Sequence, residues 1–392
     1  MTDLFFDYTP NYPFTDYKSQ GIRIIDTQLD KDADFFKPIT EETNKIKTLT
    51  LKCFFVDNAR HVNQLFDALT HPNSKVETLV LQNLMVHGGI RFKGTGVSFW
   101  TEMSRLISSS IVILHLKQCR LGLGELEPLM NKMNESKKDC KLKNLILEDN
   151  NFGCFYHESI YDILLKSSYD MFMTFESVSV RRMDGWSWTQ LDYMFEGIND
   201  SNNLKSLDFS YNDILVYRPV VSELLASVKQ NVNIETFSMN CNWHFYEFYG
   251  DDDRAVTLAQ TTNHVKNLIL PYEDNRYDNA SQTRFYKHFF HCLSKKSVLE
   301  TLDISYSDIN VPIVIGSMIA AVESGRSRLS KVYCKDINIP IEFEERLHNA
   351  LVKRGLRNEN DKNPIFINNF FYFKHYRLFL YCKMFCYEEN GF

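Results

Sequence analysis

The strongest constraint on the fold of this chain is a short segment that its sequence repeats. LKSLDFSYNDI begins at Leu204, and LETLDISYSDI begins at Leu299. Both follow one frame, numbered here from its first residue: positions 1, 4 and 6 are apolar, and position 9 is often Asn. The frame occurs ten times in the 392-residue chain, with first residues at 46, 76, 111, 142, 175, 204, 234, 265, 299 and 329. The steps of 29 to 35 residues indicate an array of similar structural units, and a degenerate further copy falls at Ile22–Leu29.

Within each copy, the alternation over positions 3 to 7 predicts a short β-strand. Positions 4 and 6 would face the interior, and positions 3, 5 and 7 would face outward. Asn at position 9 can turn the chain and hydrogen-bond exposed backbone groups at the strand end. Asn150, Asn212 and Asn242 hold this place, and Cys119 and Ser307 can substitute for it.

The segments between the strands carry the apolar pattern of amphipathic helices. Apolar residues recur there at spacings of three and four, as at Val62, Leu65, Phe66 and Leu69. Several residues are typical of helix starts, namely Ser187 and either Asp57 or Asn58 as N-caps, and Pro219, Pro312 and Pro340 near the first turn.

Ten strand-plus-helix copies in one frame make this chain resemble a leucine-rich repeat protein. Units near 30 residues are similar to those of the ribonuclease-inhibitor-like class. The resemblance implies an α/β solenoid of about ten repeats, a horseshoe with a parallel sheet on the concave face and helices on the convex face. It divides the chain into an N-terminal cap or arm (1–45), a repeat solenoid (46–354) and an aromatic-rich C-terminal cap or tail (355–392).

A doubly wound α/β enzyme would also alternate strands and helices, and it is the competing interpretation. Such an enzyme needs a glycine-rich phosphate turn. Gly89 and Gly94 have the required spacing, but Thr95 stands where a phosphate-binding Lys is expected. The repeat is therefore the favoured interpretation.

Composition favours a folded intracellular protein without affinity for nucleic acid. The chain is 44% hydrophobic, its net charge is −6, and its isoelectric point is about 6.0, so no general positive field attracts nucleic acid. The nine cysteines show no disulfide framework, which is typical of reducing compartments. The N-terminus lacks a signal-peptide pattern, and no apolar run is long enough to span a membrane. We expect a cytoplasmic protein.

The C-terminal segment IFINNFFYFKHYRLFLYCKMFCY has three interpretations. As a helix it would be apolar on nearly every side, yet Lys374, Arg377 and Lys383 argue against a membrane span. It could cover the last repeat, form a partner-binding or membrane-surface helix, or form a short hairpin. Covering the last repeat is the favoured interpretation.

The outward positions of the strands are the expected binding surface, because most of them are small and polar. Aromatic residues follow several strands, and aromatic and Arg side chains commonly anchor protein interfaces. The candidate partner-binding residues are Tyr211, Tyr272, Tyr306, Trp243, Arg181, Arg182, Asp208 and Asp303. The tyrosines could equally pack as scaffold, and Arg181 and Arg182 could form an ion-paired ladder with Asp208 or contact an acidic ligand.

The sequence contains only incomplete catalytic and metal-binding motifs. His288, His291 and Cys292 have helical spacing but no third ligand at metal-site spacing, and neither a nucleophile elbow nor a paired-carboxylate motif occurs. We therefore expect no cofactor, no metal and no enzymatic activity.

The favoured function is a non-enzymatic scaffold that binds a protein partner on the concave face and at the rim formed by the strand ends. A bacterial effector acting in a host cell could use the same repeats. A GTPase-activating protein of the repeat class would need an exposed rim residue, for which Arg91 or Arg120 could be nominated. A structural part of a cytoskeletal or ciliary assembly would use the two terminal segments. The sequence leaves the oligomeric state open.

Overall fold

The structure is a computed structural model that describes most of the chain. The described residues are 2–7, 22–25, 36–52, 59–83, 99–119, 123–136, 140–150, 158–183, 186–212, 218–239, 251–270, 279–307 and 309–367. They form two compact units. The first contains the described residues from Thr2 to Met239, and the second contains those from Asp251 to Ile367.

The first unit contains a parallel sheet. Its strands are β1 (Thr2–Asp7), β2 (Ile22–Ile25), β3 (Ile46–Lys52), β4 (Thr78–Gln82), β5 (Ile113–Lys117), β6 (Asn144–Glu148), β7 (Ser177–Arg181), β8 (Ser206–Asp208) and β9 (Thr236–Ser238). From β3 to β9 the order in the sheet follows the order in the chain, whereas β1 lies between β2 and β3. Parallel neighbours require a crossover between them, and helices supply it in most of the repeats.

The helices of the first unit follow the strands in sequence. They are α1 (Lys37–Thr40), α2 (Ala59–Thr70), α3 (Phe99–Met103), α4 (Glu127–Glu135), α5 (Glu158–Thr174), α6 (Trp188–Asp200) and α7 (Arg218–Gln230), with short 3-10 helices at Ser104–Ser108 and Leu123–Leu126. The predicted cap of α6 is confirmed: Ser187 accepts a hydrogen bond from the backbone N–H of Gln190, whose side chain in turn accepts from the backbone N–H of Ser187. This reciprocal pair fixes where α6 begins.

Buried rows of apolar residues hold the first unit together. Position 4 residues of successive repeats pair in register across the sheet, and all of them are fully buried: Leu49, Leu79, Leu114, Leu145, Val178, Leu207 and Phe237. The apolar stripe of α2, which includes Leu65 and Phe66, is also fully buried. Because side chains alternate along a strand, burial of positions 4 and 6 places positions 3, 5 and 7 on the opposite face.

The second unit repeats this arrangement. Its strands are β10 (Asn267–Ile269), β11 (Thr301–Asp303), β12 (Lys331–Tyr333) and β13 (Phe366–Ile367), and its helices are α8 (Asp251–Thr261), α9 (Asn279–Cys292), α10 (Val311–Glu323) and α11 (Ile341–Lys353), with a 3-10 helix at Thr262–His264. The four strands are parallel and adjacent in chain order, with Leu268, Leu302, Val332 and Phe366 in register. Asn310 caps α10 through a hydrogen bond from the N–H of Ile313.

Each of the ten predicted copies contains one strand, from β3 to β12, so the α/β class and the parallel pairing are confirmed. Pro219 and Pro312 lie in the first turns of α7 and α10, and Pro340 is the N-cap residue of α11. The N-terminal segment contributes β1 and β2 to the sheet of the first unit. The glycine-rich loop around Gly89 and most of the aromatic C-terminal segment lie outside the described residues.

Candidate functional site

Position 8, directly after the strand, has a left-handed backbone conformation in the described repeats. Seven residues at this position have positive φ: Asn83 (51°), Gln118 (55°), Asp149 (53°), Arg182 (48°), Tyr211 (64°), Tyr306 (65°) and Asp336 (62°). In the described part of the chain, no other non-glycine residue has positive φ. The turn allows the position 8 N–H to donate to the position 7 carbonyl of the next repeat, as from Tyr306 to Lys335 at 2.8 Å. The ladder of backbone hydrogen bonds is thereby extended beyond the strand.

The Asn at position 9 fixes this turn. The side-chain carbonyl of Asn212 accepts from the N–H of Met183 at 2.9 Å, and its amide donates to the carbonyls of Val180 and Phe209, each at 2.8 Å. Two repeats earlier, Asn150 makes a similar set of bonds: it accepts from the N–H of Cys119 and donates to the carbonyls of Leu116 and Glu148. The predicted role of Asn150 and Asn212 is confirmed, whereas Asn242 lies outside the described residues.

Glu148 is the centre of a charged cluster on the outward face of the first unit. The residue is only 5% exposed. One of its carboxylate oxygens lies 3.1 Å from Nε2 of His115, and the other lies 2.9 Å from Nζ of Lys117 and also pairs with the guanidinium of Arg182. Burial alone would raise the pKa of Glu148, but the hydrogen bond from His115 and the charges of Lys117 and Arg182 hold that pKa well below its usual range.

Arg182 connects this cluster to Tyr211. Its Nε lies 2.7 Å from the carboxylate of Asp149, and its guanidinium carbon lies 5.8 Å from the centre of the Tyr211 ring. A cation at this distance attracts the face of an aromatic ring. Tyr211 is therefore half-buried and held beside a positive charge at the end of β8.

Asp208 forms a second charged group on the same face. Its carboxylate pairs with the guanidinium of Arg181, accepts from the hydroxyl of Ser179 at 3.0 Å, and accepts from the N–H of Ser210 at 3.0 Å. Arg181 thus forms the ion pair with Asp208 that the sequence suggested. Arg182 pairs elsewhere, because its left-handed backbone separates it from the strand pattern.

The second unit carries a related set of residues at the ends of β11 and β12. Nζ of Lys335 donates to the hydroxyl of Tyr306 at 2.5 Å and lies 4.9 Å from the centre of its ring. Nζ of Lys331 lies 5.8 Å from the centre of the Tyr333 ring. Asp303 accepts from the N–H of Ser305 at 2.9 Å. Burial raises the pKa of Asp303, and the hydrogen bonds from Ser305 only partly oppose this rise.

The structure therefore describes six of the eight predicted partner-binding residues. Arg181, Arg182, Asp208 and Tyr211 lie close together in the first unit, and Asp303 and Tyr306 lie in the second. Tyr272 and Trp243 lie outside the described residues, as do Arg91 and Arg120. Position 8 is Tyr in both copies of the twin segment and has the same backbone conformation in each.

Sequence reasoning missed two polar ladders. The first precedes the strands: buried side chains two or three residues before position 1 accept a hydrogen bond from the position 1 N–H, as in Asn44, Ser109, Ser201, Ser297 and Ser327. The second lies at position 2, where Glu176 pairs with Lys143 at 3.3 Å and with Lys205 at 3.1 Å. Small polar residues before each copy and alternating Lys and Glu at position 2 are the signals that could have shown both.

The described residues include no group of three or more His, Cys, Asp or Glu side chains placed to hold a metal ion. Within the same residues, no helix combines the length and the apolar character that crossing a membrane requires. Comparison of the sequence with models of known protein families and with curated proteins finds no match.

Proposed function

We propose that this chain is a leucine-rich repeat protein of the ribonuclease-inhibitor-like class, with a horseshoe form in which the strands line the concave face. The support comes from the repeated frame of 29 to 35 residues, the in-register rows of buried position 4 residues, and the Asn150 and Asn212 hydrogen bonds. Each of these belongs to the resemblance that the sequence suggests.

We propose further that the protein is a non-enzymatic scaffold, which binds a protein partner through the outward strand positions and the position 8 residues at the strand ends. The observation that carries this proposal is the pair Tyr211 and Tyr306. Each occupies a left-handed backbone position that Asn or Gly would adopt at lower cost, and each ring is partly exposed and held by a cation from a neighbouring side chain.

A ring that is already held in place loses little conformational entropy when a partner covers it. Tyr combines a large contact area with few rotatable bonds, which is why it is common at binding hot spots. The held tyrosines therefore suit an interface better than flexible side chains would. Their contacts with Arg182 and Lys335 also cover part of each ring when no partner is present.

A reducing, intracellular location accords with the use of Cys119 at position 9. Its buried thiol donates to the carbonyl of Leu81 at 3.2 Å and so replaces part of the Asn hydrogen-bond set. A disulfide would remove this donor. We therefore propose a cytoplasmic location, or the host cytosol if the protein is an effector.

The test is affinity capture from the native cell with Tyr211→Asn/Tyr306→Asn beside the wild type. Asn adopts the left-handed conformation readily, so the double variant should keep its fold while losing both rings. We expect at least one partner to be lost from the variant.

Tyr193→Asn is the matched control, because Tyr193 is 38% exposed on α6 and lies outside the strand face. Circular dichroism checks that each variant is folded. An unchanged partner set with the folded double variant, or an equal loss with the control, would exclude this surface as the binding site.

A further inference from the structure

Asp208 and Asp303 occupy the same place in the twin segments but have different partners. Both stand at position 5, and both accept a hydrogen bond from the backbone N–H of the serine at position 7, at 3.0 Å from Ser210 and 2.9 Å from Ser305. The local backbone is thus the same in the two copies. The two carboxylates differ in the other hydrogen bonds and ion pairs that they form.

In the first copy, the preceding strand supplies the additional donors. Ser179 at position 5 donates its hydroxyl to Oδ2 of Asp208 at 3.0 Å, and the guanidinium of Arg181 at position 7 pairs with the same oxygen. Ser179 and Asp208 are direct neighbours in the sheet register. The first copy therefore shows a complete site for a carboxylate, with a guanidinium as its counter-ion.

In the second copy, the preceding strand has residues that cannot act in this way. Ile269 is the register neighbour of Asp303, and it replaces the hydroxyl of Ser179 with an apolar side chain. Residue 271, which corresponds in sequence to Arg181, is Pro. Neither residue type supplies a hydrogen-bond donor or a positive charge to the carboxylate.

The following strand supplies lysines, but both are engaged with tyrosine rings. Lys335 donates to the hydroxyl of Tyr306, and Lys331 lies over Tyr333. Among the described residues, none forms an ion pair with Asp303, and the groups that act on its carboxylate are those of Ser305. A half-buried carboxylate that has no counter-ion in the described part of the chain carries a desolvation cost.

We propose that Asp303 is the receptor for an arginine side chain of a protein partner, whose guanidinium takes the place that Arg181 holds in the first copy. A guanidinium fits a carboxylate with paired hydrogen bonds and is weakly hydrated, so it stacks on aromatic rings such as those of Tyr306 and Tyr333. This inference rests on the proposed scaffold function, and it names the chemistry that the second unit recognises in its partner.

The direct test measures binding of a defined probe to the full chain by ligand-observed NMR. The probe is the acetylated and amidated pentapeptide Gly-Gly-Arg-Gly-Gly, and the matched control replaces Arg with citrulline, which is neutral and nearly the same shape. We expect the arginine peptide to bind wild type at least about tenfold more tightly than it binds Asp303→Asn, because a charge-assisted hydrogen bond is lost. Equal binding of the two peptides, or equal binding to the two proteins, would overturn the inference.

A second measurement does not depend on any ligand. Asp303→Asn removes a carboxylate that has no counter-ion among the described residues, so we expect its urea midpoint at pH 7 to rise above that of wild type. Asp208→Asn removes the carboxylate that pairs with the half-buried guanidinium of Arg181, so we expect its midpoint to fall. Equal falls for both variants would show that Asp303 is as well neutralised as Asp208. The inference that Asp303 receives an arginine would then fail.

The affinity capture separates this inference from the proposed function. If Tyr211→Asn/Tyr306→Asn loses a partner that Asp303→Asn retains, the scaffold function stands and the arginine receptor fails. If Asp303→Asn loses the same partner, the two proposals support each other. If the peptide binds at Asp303 but no variant loses a partner, the arginine receptor stands and the scaffold function fails.

Discussion

The left-handed backbone at position 8 has a cost that depends on the side chain. Asn and Asp adopt this conformation more readily than other residues with a Cβ, and β-branched residues adopt it least readily. Asn83, Asp149 and Asp336 are therefore easily accommodated, whereas Tyr211 and Tyr306 occupy the position at a higher local cost. Beside Tyr211, the amide of Asn212 at position 9 donates to the carbonyl of Phe209 and so holds the turn, whereas beside Tyr306 the hydroxyl of Ser307 hydrogen-bonds to that of Tyr286.

Asp336 offers a direct measurement of this cost, because it is exposed and has φ of 62°. We expect Asp336→Val to lower the free energy of unfolding by about 1–2 kcal/mol, since a β-branched residue is strained there. We expect Asp336→Gly to change it by less than about 0.5 kcal/mol. Urea denaturation followed by far-UV circular dichroism gives both values.

Asn338 is the matched control, since it is also exposed and has no positive φ. We expect Asn338→Val to be tolerated. A loss of stability as large as that of Asp336→Val would show that the backbone conformation at position 8 is not the cause.

The charged cluster around Glu148 predicts a dependence of stability on acid. The folded state lowers the pKa of Glu148 below its unfolded value of about 4.3. A lowered carboxyl pKa contributes stability above the unfolded pKa, and this contribution is lost as pH falls further towards the folded value. We therefore expect Glu148→Gln to lower the free energy of unfolding at pH 7 and to flatten its decline below about pH 4.3, as measured by urea titrations at a series of pH values.

Glu223→Gln provides the comparison, because Glu223 is exposed on α7 and forms no ion pair among the described residues. The stability of Glu223→Gln should change with pH as that of the wild type does. If Glu148→Gln retained the full acid dependence of the wild type, the cluster around Glu148 would not be the source of that stability.

Helices α5 and α6 approach each other closely at a single glycine. A Cβ on Gly197 would lie 2.6 Å from the carbonyl oxygen of Tyr169, which is backbone and cannot move aside easily. Gly316, in the interior of α10, has open space where its Cβ would be. The two glycines therefore have opposite roles in their helices.

We expect Gly197→Ala to lower the free energy of unfolding by about 2 kcal/mol through overpacking. We expect Gly316→Ala to raise it by about 0.5–1 kcal/mol, because Ala favours a helix interior over Gly. Trp100, Trp186 and Trp188 lie in the first unit, so tryptophan fluorescence reports the effect of Gly197→Ala, and circular dichroism reports that of Gly316→Ala. A stabilising Gly197→Ala would contradict the close approach of α5 to α6.

The strands from β3 to β12 could be predicted from the sequence because alternation of buried apolar residues produces a distinctive frame. Strand β1 could not, since TDLFFD lacks that frame and its place between β2 and β3 breaks the chain order. The turn at position 8 also escaped prediction, because Tyr, Arg and Gln give no sign of a left-handed backbone. The role of Asn150 could be predicted because an amide side chain can both donate to and accept from the backbone at a strand end.

For the candidate site, the sequence indicated which residues lie at strand ends but not which charges pair. Arg181 and Arg182 are adjacent in the chain, yet one pairs with Asp208 in the next strand and the other with Glu148 in the preceding one. The left-handed turn between strand and loop causes this divergence. Pairing across strands thus depends on a backbone feature that the sequence did not reveal.

Position 2 carries a Lys or a Glu in eight of the ten copies, and the two residues mostly alternate. In the ten copies this position holds Lys47, Glu77, Val112, Lys143, Glu176, Lys205, Glu235, Lys266, Glu300 and Ser330. Opposite charges on neighbouring strands attract, and a shift of one repeat would bring like charges together. The ladder therefore favours the observed strand order over misaligned alternatives.

Glu176 tests this ladder, because it lies between two lysines. Lys205 first, and then Lys143, lower the pKa of Glu176 through hydrogen bonds and charge. We expect Glu176→Lys to lower the free energy of unfolding by about 1 kcal/mol, because three like charges would then face one another across adjacent strands. The loss should shrink in 1 M salt, which screens exposed charges.

Glu223→Lys makes the same charge change outside the ladder and should have little effect. An equal loss in the two variants, or a loss for Glu176→Lys that salt does not reduce, would show that the alternation at position 2 does not stabilise the strand order.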